Sequence, residues 1–207
     1  MTDHVVLLHG IWLRGFTLGL LGRRLRAAGH EVTCYDYASV TRSPEEGMDR
    51  VATYIESLPP GRVSLVGHSL GGLLALNLAE RGVGRDLGRI VCLGTPLRGS
   101  SVARTMTGWS PLRWTLGAAG DLLCAGLREP PSAEVGMIAG RLPVGLGALI
   151  PGLVQPHDGT VAVDETRMEG LRDHAVVDTT HAGLLLSDRV ARMTAHFLAH
   201  GRFQPAA

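Results

Sequence analysis

Val63-Ser64-Leu65-Val66-Gly67-His68-Ser69-Leu70-Gly71-Gly72 is the stretch on which the fold turns. The run Val63–Val66 is too short for a buried helix and favours extended backbone, so it predicts a strand covered on both faces. From Leu70 a leucine-rich, helix-favouring pattern runs to Arg81 and is closed by Gly82, which predicts a helix. Between them Gly67-His68-Ser69-Leu70-Gly71 matches G-x-S-x-G. Placed between a strand and a helix, Ser69 sits in a tight, strained turn that projects its hydroxyl at the sheet edge. The helix start behind it offers free N–H groups and a partial positive charge, which favours an anion there.

Outward from this stretch the same alternation continues. Val5–Leu8 and Ile90–Leu93 are short apolar runs that also end in or near glycine, and Val32–Tyr37 is a more polar, β-favouring run. Leu18, Leu21 and Leu25 recur at helical spacing, with Arg23, Arg24 and Arg26 filling the wet side. Ser43, Pro44 and Glu46 supply an N-cap, a proline at the first helical position and a glutamate that reaches back, predicting a helix to about Leu58, before Pro59-Pro60. Glu134–Ala139 and Ala175–Val177 are read as further strands, Asp188–His200 as a terminal helix, and Arg141–Gln155 as a loop. Alternating strands and helices imply a parallel sheet with right-handed crossovers, whose ligands bind beyond the carboxyl ends of the strands.

The chain has 207 residues, 45% of them hydrophobic and 19% charged, which fits one globular domain over 1–207. Residues 97–133 are irregular and are expected to form a small cap or lid-like insertion over the strand ends, with Leu97, Met106, Trp109, Leu112 and Trp114 as a candidate apolar wall. Twenty basic residues, all arginine, balance nineteen acidic ones, so no strong field for nucleic acid or an anionic membrane is expected. The three cysteines have no metal-ligand spacing, and Cys34 and Cys92 sit in strand-like runs as small hydrophobes. No phosphate-cradling or dinucleotide motif is present. Neither a signal peptide nor an integral membrane segment is evident, and the expected location is cytoplasmic.

Leu8-His9-Gly10, the Ser69 turn, Gly94-Thr95-Pro96, Asp158-Gly159-Thr160-Val161 and Thr180-His181-Ala182-Gly183-Leu184 together resemble the α/β-hydrolases of the lipase and esterase branch. The likeness is closest to the small bacterial lipases with little or no lid, with some features of GPI-inositol-deacylase-like hydrolases. It implies a minimal α/β-hydrolase fold: a mostly parallel sheet of about six strands flanked by helices, without the two antiparallel strands that open larger members. The order nucleophile, acid, histidine then implies Ser69 as nucleophile and His181 as general base, since His181 follows the last strand and can be delivered to the site by a loop. Asp158 is the favoured acid, with Asp164, Glu165 and Asp178 as rivals. Asp178 is read as lying inside the last strand. The resemblance further implies an oxyanion hole from the backbone N–H groups of Leu70 and Ile11, with Trp12 the competing donor. Trp12 is expected as an apolar wall, and His68 and Val161 as further substrate-binding residues. A serine triad needs no cofactor and no metal; the expected partner is a small-molecule ester or lipid. An acyltransferring or thioester-cleaving enzyme with the same triad, or a silent binding module, remain alternatives, and the sequence is silent on oligomeric state.

Overall fold

The computed structural model describes residues 4–108, 114–127, 133–145 and 153–203. Six strands form one sheet: β1 (His4–Leu8), β2 (Glu31–Tyr35), β3 (Val63–His68), β4 (Leu87–Leu93), β5 (Val135–Gly140) and β6 (Asp173–Val177). Their order is β2-β1-β3-β4-β5-β6, and every pairing is parallel. The chain passes from β1 outward to β2, then returns across β1 to β3 and proceeds to the other edge. The order therefore reverses between β1 and β3, where a crevice opens beyond the carboxyl ends of the strands.

The alternation of side chains along each strand sorts the core into two layers. Val5, Leu7, Val66, Val91, Leu93 and Ile138 share one buried cluster with residues of α1 (Gly19–Ala27) and of the last helix. Val6, Leu8, Leu65, Ile90, Cys92 and Met137 face the other way, against α2 (Pro44–Ser57) and α3 (Leu70–Arg81). A sheet apolar on both faces requires helices on both faces, and the sequence supplies them. α2 begins as its residues predict: Glu46 N–H donates to Ser43 Oγ at 3.1 Å, Ser43 N–H donates to Glu46 Oε2 at 3.3 Å, and Pro44 occupies the first turn.

The irregular middle carries α4 (Ser101–Gly108), a 3-10 turn (Gly117–Ala119) and α5 (Gly120–Ala125). Trp109 and Leu112 lie outside the described residues, as does 146–152 of the expected Arg141–Gln155 loop. A short α6 (Gly183–Leu186) precedes the terminal helix α7 (Asp188–His200), which ends at Gly201. One reading of the sequence needs correction: β6 stops at Val177, so Asp178 lies just past the strand rather than inside it. All three cysteines are free, and burial pushes the Cys92 thiol up to about 12. Among the described residues no helix is long and apolar enough to cross a membrane.

Candidate active site

Ser69 occupies the turn between β3 and α3 with φ 53° and ψ −119°, a conformation rarely adopted by a residue with a side chain. The surroundings over-determine it. Ser69 N–H donates to Leu93 O at 2.9 Å, tying the turn to β4. A Cβ at Gly71 would overlap the Leu8 carbonyl oxygen, so only glycine lets α3 approach β1 this closely. The Ser69 side chain is thereby held at the floor of the crevice between β1 and β3.

His181 lies in the short loop between β6 and α6, and Asp158 in the loop after β5. His181 Nδ1 stands 2.7 Å from Asp158 Oδ2, and His181 N–H donates to Asp158 O at 2.8 Å. A carboxylate only accepts, so Nδ1 is the donor in this contact. The other carboxylate oxygen is also satisfied: Thr160 and Val161 N–H donate to Asp158 Oδ1 at 3.0 and 2.8 Å. Asp158 is buried, and His181 and Ser69 both line the same cavity. The rival acids are engaged elsewhere. Asp178 is paired with Arg141, Asp164 with Arg167, and Glu165 accepts from Ser101 and Ala162 N–H.

The turn after β1 closes with Leu13 N–H donating to Gly10 O at 3.3 Å, and Trp12 takes φ 62° within it. Among the described residues, neither the Ile11 nor the Leu70 N–H has an acceptor. Both residues lie beside Ser69, one in the cavity lining and the other at the first position of α3. Trp12 lines the cavity and its indole Nε1–H donates to Thr115 O at 2.6 Å, joining the β1 loop to the segment before α5.

The cavity measures about 680 Å³ and is walled mainly by apolar side chains, among them Ile11, Val102, Met106, Leu116, Leu123 and Val161. Trp12, His68 and Val161, the three residues expected to bind substrate, are all in the lining. Leu97 is core rather than wall, and Trp114 is 83% exposed and lies outside the lining.

Two arrangements were not legible in the sequence. His68 is buried and its Nε2–H donates to His181 O at 3.1 Å, with the two rings 4.6 Å apart. Burial, with His181 alongside, pushes the His68 imidazole well below its ordinary value, so it is neutral. His9, fully buried, donates from Nδ1 to Gly10 O at 2.8 Å and stacks on Tyr37, whose hydroxyl donates to His9 O at 2.5 Å. The Asp36 carboxylate approaches His9 Nε2 at 3.2 Å. His9 thus fixes the carbonyl that precedes Ile11. The Leu-His-Gly signature marks the position of His9, but nothing in sequence spacing marks Asp36 or Tyr37 as its partners.

A parallel sheet covered on both faces, with a strained serine at its order reversal, defines an α/β protein with a cavity at the strand ends. The profile of the alpha/beta hydrolase family matches residues 5–204, and the chain belongs to that family. Its fold is similar to that of Bacillus licheniformis lipase BlEst2 in mature form, with a TM-score of 0.71 at 15% identity over 97% of this chain and 92% of that one. The monoacylglycerol lipase of Paleococcus ferrophilus gives a TM-score of 0.68 at 18% identity, covering 96% of this chain and 94% of that one. The type II thioesterase BorB from the borrelidin biosynthetic cluster gives 0.63 at 16% identity, covering 96% and 92%. No curated protein matches the chain by sequence.

Proposed function

We propose that the protein is a serine hydrolase of carboxylic esters, acting through Ser69, His181 and Asp158 by way of an acyl-enzyme. The observation that carries this reading is the 2.7 Å contact of Asp158 with His181 Nδ1, beside a cavity that His181 and Ser69 line together. With Nδ1–H held by the carboxylate, Nε2 takes the Ser69 proton as Oγ attacks the ester carbonyl. The N–H groups of Ile11 and Leu70 stabilise the oxyanion; loss of one such donor typically costs ~10²–10³ in rate. The imidazolium then protonates the leaving alcohol, and a water activated by the same nitrogen releases the acid. Asp158 stabilises the imidazolium without itself taking the proton.

The apolar cavity suits an acyl chain, with Trp12, His68 and Val161 against the substrate. Within a single domain, α4 and α5, the described helices of the 97–133 insertion, act as a small cap and supply part of that wall. No cofactor enters the scheme. A thioester presents the same carbonyl to the same triad, and the structural neighbours include both lipases and a thioesterase. Matched oxygen and sulfur esters of one acyl group distinguish the two substrates.

The test is the Ser69→Ala variant assayed on p-nitrophenyl acyl esters, with fluorophosphonate labelling of the unmodified protein. Turnover is expected to fall by up to ~10⁶ in kcat, and the label to map to Ser69. Asp158→Asn is expected to fold and to lose ~10⁴ in kcat, because the amide favours the wrong tautomer of His181. Wild-type turnover by Ser69→Ala overturns the reading, and a protein that neither turns over esters nor takes the label is a binding module instead.

A further inference from the structure

A second cavity, of about 480 Å³, lies against the first, and Trp12 and Leu13 belong to the lining of both. Its lining is far more polar than its neighbour's. The lining includes three arginines, Arg14, Arg42 and Arg50, one carboxylate, Asp36, and the hydroxyl residues Ser39 and Thr41. Asp36 is already neutralised: Arg14 Nη2 lies 2.7 Å from Asp36 Oδ2, and Arg14 Nε donates to both carboxylate oxygens at 2.9 and 3.0 Å. These contacts hold the Asp36 carboxyl below its ordinary value, so the pair stays ionised and its charges cancel. Arg42 and Arg50 have no carboxylate within ion-pair distance among the described residues. Of the acids nearest them in the chain, Asp49 pairs with Arg81 at 3.6 Å and Glu46 accepts from the Ser43 N–H, while Glu45 is exposed, and none of the three belongs to the groove's lining. Two positive charges are left over in a concave, polar site.

The two cavities therefore divide a ligand by polarity. Arg14 follows Ile11 by three residues, so the groove begins within ~11 Å of the oxyanion loop along the chain. Because Trp12 and Leu13 line both cavities, a ligand with its carbonyl in the first can extend an anionic group on a short polar linker into the second. We propose that the groove is a phosphate subsite for the leaving group: the natural substrate is an acyl ester or thioester whose alcohol or thiol portion carries a phosphate. The proposal rests on the serine-hydrolase reading for the position of the carbonyl, but not for the binding itself. The acyl–oxygen or acyl–sulfur bond is broken by Ser69, His181 returns the proton to the leaving atom, and the phosphate takes no part in bond making. Guanidinium forks match phosphate oxygens, which the neutral wall of the first cavity does not.

The experiment compares matched pairs: 1-decanoylglycerol with its 3-phosphate, and S-decanoylpantetheine with its 4′-phosphate. Phosphate is expected to raise kcat/KM at least tenfold in one pair, mainly through KM, and the advantage is expected to shrink as salt is added. The pair that responds tells a glycerophosphate source from a phosphopantetheine source. In the double variant Arg42→Gln/Arg50→Gln the ratio of phosphorylated to neutral substrate is expected to fall to near one. A ratio of one in both pairs with the unmodified protein, or a ratio the double variant leaves intact, overturns the proposal. The salt titration reads the same interaction without any substitution.

Calorimetric binding of the same four compounds to the Ser69→Ala protein separates this idea from the catalytic one. Phosphate-dependent binding lost in the Arg42/Arg50 background, with no turnover by the unmodified protein, leaves the subsite standing and removes the hydrolase reading. Turnover without phosphate-dependent affinity does the reverse.

Discussion

At the scale of single residues, His68 and Gly94 show how tightly the proposed triad is enclosed. From the sequence, His68 is expected to be a substrate-binding residue. Its ring does line the cavity, yet its one N–H is given to the carbonyl of His181, so it also fixes the loop that carries the proposed base. Replacing His68 by Phe keeps the bulk and removes that bond, worth about 1 kcal/mol. We expect kcat to fall five- to tenfold with KM little changed; a raised KM at constant kcat makes His68 a substrate contact alone. Gly94 takes φ 56°, and a Cβ there would stand 2.8 Å from Leu184 Cδ1, 3.0 Å from His181 Nδ1 and 3.1 Å from Asp158 Oδ2. Gly94→Ala adds backbone strain of ~1–2 kcal/mol and presses a methyl onto the Asp158–His181 pair. Urea unfolding should report the lost stability, and esterase assays a fall in kcat larger than that loss alone explains. Unchanged kcat in a destabilised variant uncouples this pair from turnover.

Elements add two further tests. The Ser43–Glu46 capping box opens α2, whose buried Met48, Val51 and Ile55 cover one face of the sheet. Ser43→Ala removes the acceptor for the Glu46 N–H and should cost about 1 kcal/mol, read as a lower urea midpoint at unchanged slope. Trp12 is the strap between the β1 loop and the segment before α5, through its bond to Thr115 O. Trp12→Phe keeps an apolar wall without that bond and should raise KM for long acyl chains more than for short ones; an equal change for all chain lengths assigns Trp12 no role in holding the cap. These elements also show what the sequence can disclose. α3 and α7 match their expected bounds, because leucine spacing, a closing Gly82 and a closing Gly201 are local signals. β3 runs two residues beyond its apolar stretch because Gly67 and His68 continue the ladder opposite Cys92 and Leu93, a fact of pairing that β3 alone does not carry. The contacts of Asp36 with His9 and of His68 with His181 join residues 27 and 113 positions apart. Such contacts arise only when strands lie side by side, so motif spacing names Ser69, Asp158 and His181 as candidates but not the residues that support them.

For the whole molecule, the buried histidines decide how stability responds to acid. The formal net charge is only +1, so general repulsion is weak near neutrality, and local groups set the response. Burial lowers His9, His68 and His174 below the ordinary value of 6.5, which means the folded chain holds these rings neutral where the unfolded chain begins to protonate them. As the pH falls through 6.5 the unfolded state binds more protons, so stability is complete above that point and is lost below it, down to the depressed folded values. Each such ring contributes a slope of up to ~1.4 kcal/mol per pH unit in that window. Asp36, lowered from 3.8 chiefly by Arg14, acts in the same direction but only in more acidic solution, and so does not confuse the window between pH 7 and 5. Thermal unfolding should therefore show a Tm that is flat above pH 7 and declines from pH 6.5 to 5. At about 2–4 °C per kcal/mol for a chain of this size, each histidine accounts for several degrees. His68→Phe should be shallower across that window by about the share of one ring, whatever its midpoint at pH 7.5. A decline of equal slope in the variant means that His68 is not held neutral by the fold, and that the acid response arises elsewhere in the chain.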